Sequence, residues 1–347
     1  MAAAFAQRLI LWHKQHGRHG LPWQGNRDPY AVWLSEIMLQ QTQVSSVIPY
    51  YQRFLGCFPD IATLAAAEED EVLARWSGLG YYSRARNLHR AAQIMAEKHF
   101  GEFPREFGQI LALPGIGRST AAAISAFAFG ERRAILDGNV KRVLARYLVV
   151  AGHSGEKKVE ALLWRHAEAL LPETGIEIYT QALMDLGATV CTRSKPDCAS
   201  CPVSGDCAAS QQGRQVEFPQ PRPRKALPER AATMLIFMHR GEVFLEKRPP
   251  AGIWGGLWSF PESDEAEDAR QPAGMRFGFE TDSPEARPAM QHVFTHFRLH
   301  IHPLLLNVRR IQPRARQQAG MWLTIEDAMA AAIPTPVRKL LASLDLA

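Results

Sequence analysis

The spacing of apolar residues divides the chain into a helical part and a part that forms strands. Before residue 208, apolar side chains recur at intervals of three and four, most clearly at 34–38 and 140–148. This spacing places them on one face of a helix. Proline and glycine separate the runs, as at 113–115, where the chain must turn. The pattern predicts a mostly helical domain over residues 1–208.

A change of composition follows the helical part. Residues 210–230 contain four prolines, several lysines and arginines, and few apolar side chains. Such a composition is typical of a semi-extended, exposed connection between domains. We therefore predict a linker over residues 209–230.

The remaining residues show the periodicity of strands and then of helices. Apolar runs and one strictly alternating segment predict strands at 234–238, 243–245 and 296–302. Helical spacing returns at 324–331 and 336–344. The sequence therefore predicts a small α+β domain over residues 231–347.

The composition narrows the class of protein. The chain has 347 residues, of which 46% are apolar and 22% charged, as in a globular protein of two domains. No window approaches the roughly 18 uncharged apolar residues of a membrane span. The first residues also lack the long apolar centre of a secretion signal, so we expect a cytoplasmic protein. We also expect the protein to be a monomer. A net charge of +5 permits a nucleic-acid partner without requiring one.

Four of the five cysteines lie within seventeen residues and have the character of a metal site. They are separated by six, two and five residues, as Cys191, Cys198, Cys201 and Cys207. Four thiolates suit a tetrahedral zinc ion or a [4Fe–4S] cluster. Zinc usually takes two short pairs, and only one pair here is that close, but a zinc ribbon stays open. Cys57 stands alone, and we expect it in the core.

A glycine-containing hairpin at 113–120 could hold a phosphate. Gly115 and Gly117 let the backbone turn tightly and approach a ligand closely. The free N–H groups at the start of the next helix then favour an anion such as a DNA phosphate. The alternative is an ordinary turn between two helices.

Two carboxylates have contrasting surroundings. Glu36 has mostly apolar neighbours three and four positions away, which would raise its pKa and suit a general acid. Asp137 begins a helical run, where N–H groups favour its ionised form. A protonated and an ionised carboxyl group form a matched pair for cleaving a glycosidic bond. The alternatives are a Glu36 that points to solvent and an Asp137 that only caps its helix.

These motifs together resemble the MutY-type adenine DNA glycosylases of the helix-hairpin-helix, endonuclease III superfamily. The resemblance rests on segments 33–44, 78–88 and 136–140 and on the cysteine loop 191–207. It implies that the four cysteines bind a [4Fe–4S] cluster. It also implies that the partner is duplex DNA with adenine opposite 8-oxoguanine or guanine, in a bacterial cytoplasm at the nucleoid. The expected reaction removes the flipped adenine and begins base excision repair.

The resemblance also assigns chemical roles. Glu36 would protonate adenine at N7, and Asp137, with Asn139 beside it, would stabilise the sugar cation. Ser119 occupies the position at which the bifunctional relatives carry a Schiff-base lysine, which predicts a glycosylase without lyase activity. Lys141 would contact a phosphate or cross-link to an abasic site.

Further residues are matched to DNA or to the extruded base. Gln41 and Tyr81 match residues that wedge into the duplex, and Trp23, Gln24 and Gln181 could line the adenine pocket. Each of these could instead serve packing or lie on a helix surface. In the C-terminal domain, which resembles a Nudix fold, Phe294, Thr295 and His296 match a Phe-Ser-His loop that contacts 8-oxoguanine. Thr295 keeps the hydroxyl but adds a methyl group.

Three other functions stay open on the sequence. A bifunctional pyrimidine glycosylase is disfavoured by Ser119. A Nudix-type hydrolase is disfavoured because 252–262 leads into the acidic stretch 263–268 without the metal-binding helix motif. A DNA-binding protein without chemistry would leave Glu36 and Asp137 unused.

Overall fold

The chain forms two compact units in a computed structural model. The described residues are 2–222, 226–263, 276–312 and 320–344. One unit comprises residues 1–66 and 87–224, and the other comprises residues 67–86 and 225–347. The predicted order of a helical part before a part with a sheet is found, but the stretch 67–86 groups with the second unit.

Helices account for the regular structure up to residue 217. They are α1 (Ala2–His16), α2 (Pro29–Leu39), α3 (Val44–Cys57), α4 (Ile61–Ala66), α5 (Glu69–Trp76), α6 (Ser83–Lys98), α7 (Phe107–Ala112), α8 (Arg118–Phe129), α9 (Gly138–Tyr147), α10 (Lys157–Ala169), α11 (Ile176–Asp185) and α12 (Ala208–Gln211). A π-helical turn, Leu186–Val190, extends α11, and 3-10 turns cover Ser204–Asp206 and Gln215–Glu217. Within the described residues, none of these helices combines the length and apolar character needed to span a bilayer.

The first unit has a core in which α1, α8, α9, α10 and α11 share buried apolar side chains. Phe5 of α1 shows the packing, because its ring lies 4.6 Å from that of Tyr147 and 6.4 Å from that of Tyr179. Aromatic pairs at these separations add to the free energy gained from apolar burial. The core therefore fixes the first residues of the chain against α9 and α11.

The first half of the predicted linker is packed onto the first unit. Ala209 and Phe218 are buried in its core, and Arg146 donates from Nε to the carbonyl oxygen of Phe218 at 2.9 Å. The prolines that suggest an exposed connection lie after this point. Residues 223–225, inside the predicted linker, lie outside the described residues.

The second unit is built on one mixed sheet. Its strands are β1 (Glu229–His239), β2 (Glu242–Lys247), β3 (Trp258–Ser259), β4 (Glu262–Ser263), β5 (Phe279–Thr281), β6 (Glu285–Ala286), β7 (Met290–Val293), β8 (Arg298–Ile311) and β9 (Gly320–Thr324). The main order is β3-β2-β1-β8-β5, with β1 and β8 parallel and the other pairs antiparallel. Strand β9 pairs with β2, β4 pairs with β1, and β6 and β7 pair with β8. Helices α13 (Ile325–Ala330) and α14 (Thr335–Leu344) follow.

The predicted strands of this unit are present, with one shift. The apolar runs lie inside β1 and β2, but β8 begins at Arg298, so Phe294, Thr295 and His296 precede it. Buried aromatic rings, Phe237, Phe244, Phe277 and Phe279 among them, pack against this sheet. The acidic stretch after Ser263, which lacks the metal-binding helix motif of a Nudix hydrolase, lies outside the described residues.

Polar contacts explain why residues 67–86 group with the second unit. Asp70 forms an ion pair of 2.6 Å with Lys247 of β2. The hydroxyl groups of Ser77 and Tyr82 both donate to the carbonyl oxygen of Ile333, at 2.9 and 3.2 Å. These partners lie far away in sequence, so local periodicity carries no signal for them.

The hairpin between α7 and α8 offers a matched pair of glycines. Gly115 has φ +80, and a Cβ atom there would lie 2.9 Å from Cβ of Asn87, whereas Gly117 has φ −91 and open space. We predict that Gly115→Ala lowers the free energy of unfolding by about 1–2 kcal/mol or more, since alanine disfavours a positive φ. Gly117→Ala should change it by about 0.5 kcal/mol or less. Urea unfolding measures both, and equal effects would contradict this account of the turn.

Candidate active site

One cavity in the first unit brings together four residues that the sequence singled out. It has a volume of about 370 Å³ and is bordered by Trp23, Gln24, Glu36 and Gln181. The end of α1, the loop at 17–28, α2, α8 and α11 supply its walls. Its apolar lining includes Val32, Phe127 and Ile178. The cavity therefore combines a carboxyl group and amide groups with apolar walls, as small-molecule sites do.

Glu36 lies on α2 at the wall of this cavity. Asp28 begins the helix by accepting hydrogen bonds from the N–H groups of Tyr30 and Ala31, at 3.2 and 3.3 Å. Burial, and in second place the charge of Asp137, raise the pKa of Glu36 from 4.5 to about 8. The side chain is thus predominantly protonated at neutral pH, as a general acid must be.

Asp137 has partners that Glu36 lacks. It caps α9, where its Oδ1 accepts a hydrogen bond from the N–H of Val140 at 2.8 Å. Burial raises its pKa, while backbone N–H groups and the charge of Arg142 act in the opposite direction. Among the described residues, no donor reaches the carboxyl group of Glu36. Burial raises the pKa of both carboxyl groups, but N–H donors and the guanidinium of Arg142 oppose the rise at Asp137, whereas the charge of Asp137 adds to the rise at Glu36.

Asn139, beside Asp137, is held by an arginine that sequence reasoning missed. Arg142 donates from Nη2 to Oδ1 of Asn139 at 2.8 Å and to the carbonyl oxygen of Gly187 at 2.7 Å. Its Nε donates to the carbonyl oxygen of Cys191 at 2.8 Å. The sequence indicates this contact only through the spacing of three residues between Asn139 and Arg142, which places the two side chains on one face of α9.

Ser119 and Lys141 both have protein partners. The hydroxyl oxygen of Ser119 accepts a hydrogen bond from the N–H of Leu136 at 2.9 Å, which ties α8 to the residue before Asp137. Lys141 forms an ion pair of 2.6 Å with Glu160. A DNA contact by Lys141 would therefore have to compete with Glu160.

The amide side chains of the cavity are also fixed. Gln24 donates from Nε2 to the carbonyl oxygen of Arg18 at 2.6 Å and accepts from the N–H of Leu21 at 3.1 Å. Gln181 donates from Nε2 to Asp185 at 2.8 Å. Trp23 packs edge-on against Tyr51, with 5.3 Å between ring centroids. The buried Asp185 was not singled out in the sequence analysis. Its position four residues after Gln181 is only a weak indication that the two side chains are in contact.

Both glycines of the hairpin are exposed, as a phosphate contact requires. The amide of Gln40 donates to the carbonyl oxygen of Gly115 at 3.3 Å. Gln41 follows at the end of α2 and is exposed, with φ +55. A positive φ in a residue other than glycine costs about 1–3 kcal/mol, and such strain concentrates at functional sites.

A second cavity, of about 580 Å³, lies within the second unit. It is lined by Tyr81 together with Phe294, Thr295 and His296, so the fold brings these separately predicted residues together. The ring of Trp254 lies 5.5 Å from that of Phe294. No motif or spacing in the sequence singles out Trp254.

Arg84 supports the loop that carries Tyr81. Tyr81 is 43% exposed and has φ +49. The guanidinium group of Arg84 lies 5.4 Å from the centre of its ring and 5.3 Å from that of Trp76. Arg84 also donates to the carbonyl oxygen of Gly80 at 3.1 Å. The exposed aromatic ring is thus presented by a firmly held loop.

The four clustered cysteines line a shared cavity of the first unit: Cys191, Cys198, Cys201 and Cys207. Arg146 donates from Nη1 to Sγ of Cys191 at 3.2 Å and to the carbonyl oxygen of Thr192 at 2.7 Å. In the part of the chain that the structure describes, no set of three His, Cys, Asp or Glu side chains is arranged to hold a single metal ion.

Two family models match the chain. A model described as HhH-GPD superfamily base excision DNA repair protein matches residues 34–169. A model described as NUDIX domain matches residues 232–343. These matches confirm the predicted fold class, a helical helix-hairpin-helix glycosylase domain followed by a Nudix-like α+β domain.

Solved structures resemble the helical part. A thermostable thymine-DNA glycosylase has a TM-score of 0.56 and 29% identity, and the match covers 61% of this chain and 97% of that one. Endonuclease III in a non-covalent complex with DNA has a TM-score of 0.51 over 61% of this chain and 98% of that one. At 21% identity, the second likeness shows the fold alone.

Relatives named adenine DNA glycosylase match nearly the whole chain. The one from Buchnera aphidicola subsp. Acyrthosiphon pisum is 38% identical over 338 residues, which cover 97% of this chain and 96% of the relative. The human one is 32% identical, and the match covers 97% of this chain and 73% of the relative. These matches confirm the resemblance drawn from the motifs. The chain belongs to the adenine DNA glycosylase family.

Proposed function

We propose that this protein removes adenine mispaired with 8-oxoguanine or guanine from duplex DNA, by hydrolysis of the N-glycosidic bond. The observation that carries the proposal is the position of Glu36 at the wall of a cavity of about 370 Å³, where burial and the charge of Asp137 raise its pKa to about 8. An adenine must leave the base stack to enter such a cavity. The family membership supports the choice of base, and the cavity supports the route to it.

The proposed reaction balances without a covalent protein intermediate. Glu36 gives its proton to N7 of adenine as the bond between N9 and C1′ breaks, and the bonding electrons leave with the base. Asp137 stabilises the positive charge that develops on the sugar. Water then adds to C1′ and returns a proton to Glu36. Asn139 acts beside Asp137 as its polar neighbour.

Ser119 favours base removal without strand cleavage by the protein. A lyase needs an amine that forms a Schiff base with the sugar. Ser119 has a hydroxyl group instead, and that group is occupied by the N–H of Leu136. Lys141 is an amine, but its ion pair with Glu160 favours a structural or phosphate-binding role.

The second unit is proposed to recognise the base opposite the adenine. Tyr81, Phe294, Thr295 and His296 border one cavity that offers aromatic faces beside a hydroxyl and an imidazole group. Aromatic faces can replace the stacking that a base loses when the duplex is opened, by about 1–3 kcal/mol per base. Gln41 and Tyr81 are the proposed wedge residues, and both have exposed side chains on backbone of positive φ.

The cysteine loop is proposed to hold a [4Fe–4S] cluster. The residues fit such a group, because four thiol groups line one cavity and Arg146 donates a hydrogen bond to the sulfur of Cys191. Bound there, a cluster would cross-link the loop, because each of the four cysteine sulfurs would bind one of its iron atoms. Through Cys191 and Arg142, the loop is connected to Asn139.

We predict that Glu36→Gln slows adenine release by roughly 10²–10⁴-fold, the usual contribution of a general acid. The assay uses a duplex with adenine opposite 8-oxoguanine under single-turnover conditions. Strand breakage is scored with and without hot alkali. Breakage only after alkali is the expected wild-type result, because base removal leaves an intact abasic strand.

The matched control is Glu97→Gln, the same change at an exposed position of α6, which should leave the rate unchanged. Unchanged turnover in Glu36→Gln would exclude this residue as the acid. Breakage without alkali would favour a lyase. Retained binding with no breakage at all would favour a DNA-binding protein without chemistry.

We predict that the purified protein contains iron and acid-labile sulfide in equal amounts rather than zinc. Cys198→Ala should lose both, because one of the four ligands is removed. Cys57→Ser should retain both, since Cys57 lies at the end of α3, away from the loop in sequence. Elemental analysis and sulfide assay measure this, and zinc alone in the wild type would refute the cluster.

A further inference from the structure

A buried carboxylate stands behind one wall of the base cavity and has no part in the reaction described above. Asp185 is the last residue of α11, one turn after Gln181, and 0% of its surface is exposed. It does not border the cavity itself, whereas its neighbours His13, Arg18 and Gln181 do. Because a buried charge is costly unless it is paired and hydrogen-bonded, the contacts of Asp185 indicate what it does.

Among the described residues, each hydrogen-bonding or ionic partner of this carboxylate is a nitrogen atom. Oδ1 accepts from Nε and Nη2 of Arg18 at 2.9 and 2.6 Å, and from Nε2 of Gln181 at 2.8 Å. Oδ2 accepts from the backbone N–H of Arg18 at 2.8 Å, and Nε2 of His13 lies 3.3 Å from it. Arg18 therefore balances the charge and fixes the position of both oxygens.

This arrangement determines which way the carboxamide of Gln181 is turned. An ionised carboxylate can only accept hydrogen bonds, so the NH₂ group of Gln181 must face Asp185. The reversed amide would place its oxygen against the carboxylate oxygen. Among the described residues, no donor reaches Oε1 of Gln181. That oxygen is left as the atom that Gln181 can offer to a ligand.

Gln24, another carboxamide at the cavity, has neither its oxygen nor its NH₂ group free of a protein partner. Gln24 uses its NH₂ group on the carbonyl oxygen of Arg18 and its oxygen on the N–H of Leu21. An amino group at position 6 of a purine is a donor, and an oxygen at that position is an acceptor. An acceptor in the wall therefore favours adenine and opposes guanine or hypoxanthine.

We propose that Asp185 is a positioning residue that makes the base cavity selective for a purine with a 6-amino group, by holding the oxygen of Gln181 available to that group. The proposal rests on the proposed function, because it concerns the base that is removed. The role extends to Arg18, which holds Asp185 in place. Sites built to hydrogen-bond one substrate reject a mismatched analogue strongly, since a buried polar group is then left unpaired.

The test compares the release of adenine and of hypoxanthine from otherwise identical duplexes. The ratio of the two single-turnover rates is the readout, since a purely structural role would not move it. In Asp185→Asn, one oxygen is replaced by an NH₂ group, so Gln181 is no longer forced into one orientation. We expect the ratio to fall at least about tenfold, a small part of what hydrogen-bonding sites achieve.

Two further variants separate selectivity from stability. In Gln181→Met, which has no oxygen to orient, adding Asp185→Asn should leave the ratio unchanged, so the two changes are not additive. Leu163→Ala, in the core of the first unit away from the cavity lining, should lower the urea concentration at which the protein unfolds. It should keep the wild-type ratio.

A measurement on the wild-type chain does not depend on whether Asp185→Asn folds. The NH₂ protons of Gln181, assigned by their loss from the NMR spectrum in Gln181→Met, should exchange with solvent far more slowly than those of an exposed glutamine. Exchange as fast as that of an exposed glutamine would overturn the proposal. An unchanged ratio in folded Asp185→Asn would also overturn it, with the proposed function intact. A wild-type protein that releases no adenine would overturn both.

Discussion

Two carboxyl groups that share a poorly hydrated region cannot both carry a charge at neutral pH without a large cost. This constraint governs Glu36 and Asp137. Burial raises the pKa of both groups, but the backbone N–H of Val140 and the charge of Arg142 oppose the rise at Asp137. At Glu36 the charge of Asp137 adds to the effect of burial, and the pKa is about 8. The difference divides the roles of acid and anion between them, and the proposed chemistry depends on that division.

The surrounding fold keeps this difference in place through buried polar contacts between distant segments. Ser119 fixes the residue before Asp137, and Arg142 joins Asn139 to the backbone of Cys191. Asp185 joins α11 to Arg18, 167 positions away. These links connect the hairpin, the cysteine loop and the base cavity of the first unit. Each link satisfies groups that would be costly to bury alone, so the site is rigid where its geometry matters.

Local patterns predicted much of this arrangement because the relevant signals are short in range. Helical spacing around Glu36, the start of α9 at Asp137 and the cysteine spacing each lie within one segment. Asp185, Arg142 and Trp254 were not predicted, because they contact residues that lie far away in the sequence and meet them only in the folded chain. The same reason explains why α5 groups with the second unit, since Asp70 meets Lys247 across 177 positions of sequence (247 − 70). Motif spacing predicted candidate site residues, while the contacts that orient those side chains are visible only in the structure.

The free energy of unfolding of the wild type and of Glu36→Gln, measured as a function of pH, tests whether the folded protein keeps the proton of Glu36. A folded-state pKa of about 8, raised from 4.5, means that the folded protein keeps a proton that the unfolded chain releases. The wild type should therefore lose stability relative to the variant as pH rises from about 4.5 to about 8, and the difference should then level off. A difference that stays constant across this range would show that Glu36 titrates normally and would contradict the account.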